Sequence, residues 1–214
     1  SELPCPLLYV QAAQINLIIP SAVPIGGHIL IVRSPGGASP ALRIKVVRAA
    51  PGLFSFQHLG AYRLAGTSLE SALAPGDRLT IWLTGLGPIA GDDRSLPPIV
   101  EPSDDVTVWV GNQRVDQLLY AGRSGCCAGL DQIDLILADD TPTGCAVPIQ
   151  VAVGDAMFSN IATIAVAENG ASSCLSGSSG SSPSQLIVTE GRVSVHEITN
   201  LDFNTVHTGI FAIF

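Results

Sequence analysis

Apolar residues fall at alternate positions in short runs along this chain, and glycine, proline or a polar pair closes each run. Gln14-Ile15-Asn16-Leu17-Ile18, Arg78-Leu79-Thr80-Ile81-Trp82-Leu83 and Gln132-Ile133-Asp134-Leu135-Ile136 show the pattern at its clearest. A period of two sends successive side chains to opposite faces of an extended chain, so one face can be buried while the other stays wet. No stretch sustains apolar residues at i, i+3, i+4 and i+7 between capping residues, as a helix would require. The chain is therefore expected to be all-β, with many short strands joined by Gly/Pro turns in a sandwich or barrel. Gly76 to Leu83, Asp105 to Val110, Leu42 to Val47 and Ile161 to Ala167 read as strands, and Thr84-Gly85-Leu86-Gly87-Pro88 reads as a tight turn.

The pattern also repeats. Leu7-Leu8-Tyr9-Val10 is echoed by Leu118-Leu119-Tyr120-Ala121, and Gln14-Ile15-Asn16-Leu17-Ile18 by Gln132-Ile133-Asp134-Leu135-Ile136. Pro24-x-Gly26 is then echoed by Pro142-x-Gly144 at the same offset. Self-similarity of this kind marks a repeated structural unit. Each copy reads as a strand, a Pro/Gly turn and a second strand, followed by a closing strand. The second copy carries seven extra residues around Arg123 to Gly129, including the adjacent Cys126 and Cys127, as a stapled loop would.

Four segments follow from this: a first, partial sandwich repeat over residues 1–70, a second over 71–168, a Ser/Gly linker over 169–185 and a strand pair over 186–214. The first copy begins at residue 7 and leaves no room for strands matching those between residues 76 and 110. An incomplete sandwich exposes a sheet edge. The tail runs Leu186 to Ile198 and Val206 to Phe214 are expected to cover it. The linker between them and the second repeat is flexible by composition.

Composition removes several possibilities. With 47% hydrophobic and 13% charged residues, the chain has the reverse of a disordered balance. Every apolar run is broken well short of the roughly 18 residues that span a bilayer, so no membrane-spanning helix is expected. The net charge is −8, nine arginines are scattered singly and Lys45 is the one lysine. Nucleic-acid binding needs clustered cations and is excluded. Ser1 to Pro6 has neither the basic start nor the apolar segment of a signal peptide, so the chain reads as a mature or excised fragment.

Taken together, the ordered motifs resemble a known family. Leu-Leu-Tyr-Val…Gln-Ile-Asn is followed by Pro-Gly-Asp…Thr-Gly-Leu-Gly-Pro, then Leu-Leu-Tyr-Ala-Gly…Gln-Ile-Asp, then Asn160-x-x-Thr163-Ile164-x-Val166. This series, over roughly residues 7 to 167, is similar to an uncharacterized C-terminal domain abundant in Solibacter and other acidobacteria. The resemblance implies immunoglobulin-like sandwiches, of the kind found in plexins and transcription factors; with the repeat and the tail runs, the expected fold is tandem sandwiches with a two-strand C-terminal extension. It implies export to the cell surface or beyond, and no catalytic residue. Arg123-Ser124-Gly125-Cys126-Cys127 departs from the family's apolar or aromatic loop.

Candidate chemistry is sparse. Cys5, Cys126, Cys127, Cys145 and Cys174 have no metal-ligand spacing; in an exported protein they are disulfide candidates, with one thiol left over from the odd count. Loop carboxylates at sandwich ends can hold Ca²⁺, and Asp92, Asp93, Asp104 and Asp105 flank one excursion. No D-x-D-x-D-G loop is present, however, and these pairs and Asp139-Asp140 sit where aspartate serves turns. No metal or other cofactor is therefore expected. His28, His58, His196 and His207 share no short spacing. Trp82, Trp109, Tyr9 and Tyr120 lie in strand patterns and are expected to pack in the core, with the tyrosine hydroxyls finding partners at the rim. No G-x-S-x-G, P-loop or G-x-G-x-x-G is present.

The expected function is accordingly non-enzymatic: a structural or adhesive module of an exported bacterial protein, contacting other protein domains or cell-surface components. The alternative is an extracellular carbohydrate-binding module with a glycan partner.

Overall fold

The computed structural model of the chain describes residues 2–56, 59–60, 62–63, 72–93, 105–154, 157–167 and 210–213. They are all-β, as the period of two requires. β1 (Leu7–Gln11) and β2 (Gln14–Ile18) form an antiparallel hairpin. β3 (Gly26–Leu30) leads into a small hairpin of β4 (Arg33–Ser34) and β5 (Gly37–Ala38), and the chain returns beside β3 as β6 (Leu42–Val46). Four two-residue strands follow: β7 (Gly52–Leu53), β8 (Ser55–Phe56), β9 (Leu59–Gly60) and β10 (Tyr62–Arg63).

The larger body begins with β11 (Arg78–Thr84) and β12 (Val106–Val110), which turns into β13 (Gln113–Arg114). Gly111 and Asn112 both have positive φ, 57° and 68°, which matches a two-residue hairpin turn to the strand twist. β14 (Leu118–Arg123), β15 (Asp131–Ile136), β16 (Gly144–Val153), β17 (Met157–Phe158) and β18 (Ala162–Val166) complete it. β19 (Ile210–Ile213) pairs in parallel with β2, from Ile210 opposite Ile15 to Ile213 opposite Ile18. The tail run that contains β19 was expected to cover an edge near residues 7–48, and it borders one; Leu186 to Ile198 lies outside the described residues.

Two sheets face each other in the larger body. One runs β10-β11-β15-β14 with β7 beside β11; the other runs β13-β12-β16-β18-β9-β8 with β17 beside β16. The alternation built into the sequence fills the space between them. Leu79, Ile81 and Leu83 of β11 and Ile133 and Leu135 of β15 enter from one sheet; Val108, Val110, Ile149, Val151 and Ile164 enter from the other, all at most a few per cent exposed. Removing such side chains from water supplies about 1.5–3 kcal/mol each. Ala49 and Leu53 belong to this core too, so the short strands after residue 50 join the larger body.

The N-terminal sheets hold a much smaller core. Leu17, Ile19 and Val46 are buried there, with Cys5, Ile15, Val23, Leu30 and Ile44 partly buried around them. Along β1 every residue is exposed, including Leu7, Leu8, Tyr9 and Val10.

Candidate functional site

The two cores meet through buried polar groups. Arg123 ends β14, and Asp131 opens the paired strand β15 directly opposite it. Both side chains are almost fully buried, and Arg123 Nη1 donates to Asp131 Oδ1 at 3.0 Å. The second carboxylate oxygen of Asp131 accepts the backbone N–H of Leu86 at 2.9 Å. Leu86 lies in the turn predicted at residues 84–88, where Gly85 has φ +84° and its carbonyl accepts the N–H of Ala50. Burial pushes the Asp131 carboxyl up to about 6, against the opposing pull of Arg123 and the N–H groups of Leu86 and Gly85.

Arg123 also faces Asp93, with Nη2 3.8 Å from Oδ1. Asp93 in turn grips the N-terminal part. Its Oδ2 accepts the N–H of Ser21 and its Oδ1 accepts the Ser21 hydroxyl, both at 2.7 Å, while Ser21 Oγ accepts the N–H of Ile89 at 2.9 Å. Beside this chain of bonds, Ile18 and Leu8 pack close against Gly129, where a Cβ would come within about 3 Å of both side chains. A cavity of about 320 Å³ opens at the same junction, between Ile19–Ile25, Val46–Arg48, Gly87, Pro88 and Arg123.

Of the residues singled out for calcium, Asp92, Asp93 and Asp105 are among the described residues. Asp93 is committed to Ser21 and Arg123, Asp105 is exposed at the start of β12, and Asp104 lies outside the described residues. Among the described residues no three His, Cys, Asp or Glu side chains come together in a way that could hold a metal. His28 places Nε2 2.7 Å from the Pro24 carbonyl; His58, His196 and His207 lie outside the described residues.

Of the disulfide candidates, Cys126 and Cys127 are joined to each other in the inserted loop, and Cys145 is disulfide-bonded. Cys5 is a free, partly buried thiol whose pKa burial raises, so it is the exception to the expected oxidation. Cys174 lies outside the described residues.

The aromatic residues require a correction. Trp82 and Trp109 point to the outer faces of their sheets, because their neighbours Ile81, Leu83, Val108 and Val110 take the inward positions. Trp109 contacts Phe158 with ring centroids 6.0 Å apart, and Phe158 is exposed. Tyr9 is exposed, its hydroxyl donating to Gln11, and half-buried Tyr120 donates to the Arg123 carbonyl at 2.6 Å. Only the expected hydrogen-bond partners of the two hydroxyls are present.

Sequence reasoning missed the roles of Ser21 and Asp131. A signal existed for the second: Asp131 is a charge at an inward position of a strand whose other inward residues are Ile133 and Leu135. The geometry as a whole offers a buried clamp, an outward aromatic pair and exposed apolar strands. Among the described residues no helix is long and apolar enough to cross a membrane. Comparison of the chain with family models, with curated proteins and with solved structures gives no match.

Proposed function

We propose that the chain is a structural or adhesive, non-enzymatic module of an exported bacterial protein, built from tandem immunoglobulin-like units and contacting other protein domains or cell-surface components. The observation that carries this reading is the exposed apolar surface of the N-terminal sheets: Leu7, Leu8, Tyr9, Val10, Ile25 and Ile29 all face solvent. Large apolar side chains left in water on a folded scaffold suit a contact region. The clamp of Ser21, Asp93, Arg123 and Asp131 holds that surface to the larger body, a role suited to a spacer that transmits load. Its charges are satisfied by one another, so they serve as joint rather than as reacting groups. Export fits the disulfides at Cys126–Cys127 and Cys145.

The test is retention of the labelled chain on a bacterial surface fraction. Protease treatment of that fraction should abolish retention, while glycosidase treatment should leave it intact. One observation favours the carbohydrate-binding alternative: Trp109 and Phe158 form an outward aromatic pair, with Gln150 and Arg114 directly opposite Trp109. Glycan binding that disappears in Trp109→Ala would put that reading first.

A further inference from the structure

The two hairpins that share the Leu-Leu-Tyr and Gln-Ile runs turn differently. β1–β2 closes through Ala12-Ala13, with Gln11 opposite Gln14. At the matching place β14–β15 carries seven further residues, and Cys126 and Cys127 lie in that loop. Two residues suffice to join antiparallel strands, so the longer loop is not needed as a connection. Backbone bonds hold it in shape. The N–H of Ser124 donates to the Leu130 carbonyl at 2.8 Å and the N–H of Leu130 donates to the Cys127 carbonyl at 3.2 Å, while Gly129 packs against Leu8 and Ile18.

The disulfide in this loop adds little to that. A cross-link stabilises a fold according to the length of chain it encloses, because that is the freedom it removes from the unfolded state. Cys126 and Cys127 are adjacent in sequence, so their bond encloses no other residue. Both cysteines are exposed. Exposed disulfides are the labile ones, open to attack by a thiolate.

A buried hydroxyl distinguishes the two sulfurs. Ser124 Oγ accepts the N–H of Cys126 at 3.3 Å and donates its own proton to Cys126 Sγ, also at 3.3 Å. A donor so aimed favours negative charge on that sulfur. In exchange, the sulfur that carries charge more readily is the better leaving group. Cys126 is therefore the sulfur that leaves, and Cys127 the one attacked. The chain's own free thiol does not compete: Cys5 is partly buried and burial raises its pKa, so it stays protonated at neutral pH.

We propose that the Cys126–Cys127 disulfide is a thiol–disulfide exchange site that takes a cysteine thiolate of a contacting protein. This rests on the reading of the chain as a protein-contact module and makes the contact covalent. The incoming sulfur bonds to Cys127 Sγ, the bond between the two cysteines breaks, and its electron pair leaves on Cys126 Sγ, which takes a proton from water. The partner's sulfur is oxidised and that of Cys126 is reduced, so the exchange needs no other oxidant. The backbone bonds of the loop do not run through either sulfur, and the fold survives the reaction.

The experiment incubates the oxidised full chain, without air, with an acetylated Gly-Cys-Gly peptide, traps free thiols with iodoacetamide and maps the products by mass spectrometry. The expected product carries the peptide on Cys127 and the alkyl group on Cys126. Ser124→Ala should slow its formation at least fivefold, and Ser124→Thr, which keeps the hydroxyl, should restore the rate. The double variant Cys126→Ser, Cys127→Ser should form no such product while keeping the circular dichroism and Tm of the native chain. No peptide on the pair, peptide on Cys126 in place of Cys127, or an unchanged rate in a folded Ser124→Ala chain overturns the proposal. Retention on the surface fraction that survives the double variant would also overturn it and keep the adhesive reading. Peptide exchange at Cys127 without retention of the native chain would keep the exchange site and remove that reading.

Discussion

Asn160 does with its side chain what a neighbouring strand does with its backbone. Its Oδ1 accepts the N–H of Leu53 at 2.7 Å and its Nδ2 donates to the Leu53 carbonyl at 3.2 Å, tying the strand beside β11 to the start of β18 in the facing sheet. Asn160→Ala would leave both groups of a buried residue unpaired, and a loss of about 1–3 kcal/mol is expected in urea unfolding. Asp131 makes the second prediction at this scale. Its carboxyl sits at about 6 in the folded chain against 3.8 ordinarily, so the folded state holds the proton more tightly than the unfolded one. The contribution is therefore complete below about pH 4 and is lost as pH rises through 6. Relative to Asp131→Asn, the native chain should lose up to roughly 3 kcal/mol of stability between pH 4 and pH 7. A difference that does not change with pH would refute this. Asn160 stood in the sequence as part of a motif, but its partner, 107 positions away, did not. Pairing across that distance is set by how the sheets stack, which no local pattern encodes.

Among the described glycines, Gly85 in the turn at residues 84–88 has the least room for a side chain. A Cβ on Gly85 would sit 2.0 Å from the Ala50 carbonyl oxygen, at a φ of +84°. Gly85→Ala is expected to destabilise the chain by about 3 kcal/mol or more, through both strain and contact. At Gly27 no atom lies within 4 Å of such a Cβ, so Gly27→Ala should shift thermal unfolding little. Strands β6, β11 and β12 were legible because apolar alternation runs through each for at least five residues, and β18 because a short apolar run of β-branched and small residues fits a strand buried on both faces. β7 to β10 were not, since two residues carry no period. The outward aromatics were legible in principle. The same alternation that places Leu79, Ile81 and Leu83 inside places Trp82 outside, but hydrophobic identity outweighed parity in assigning it to the core.

For the molecule as a whole, the joint between the two cores is polar, and Asp93 is its shared member. Asp93→Ala removes both bonds to Ser21 and one charge beside Arg123. The expected result is faster hydrogen exchange and proteolysis across residues 7–48, with protection of β15, β16 and β18 unchanged. Equal acceleration in both bodies would show that they unfold as one. The N-terminal sheet has a bearing on time. The sheet that opens at Leu7 is extended by Ile210 to Ile213, which pair with residues of β2 195 positions earlier in the sequence. Loop closure over such a span is slow, and contacts near in sequence form first. The larger body can therefore settle while β2 still waits for its last neighbour, so the N-terminal sheet is among the last parts to be finished.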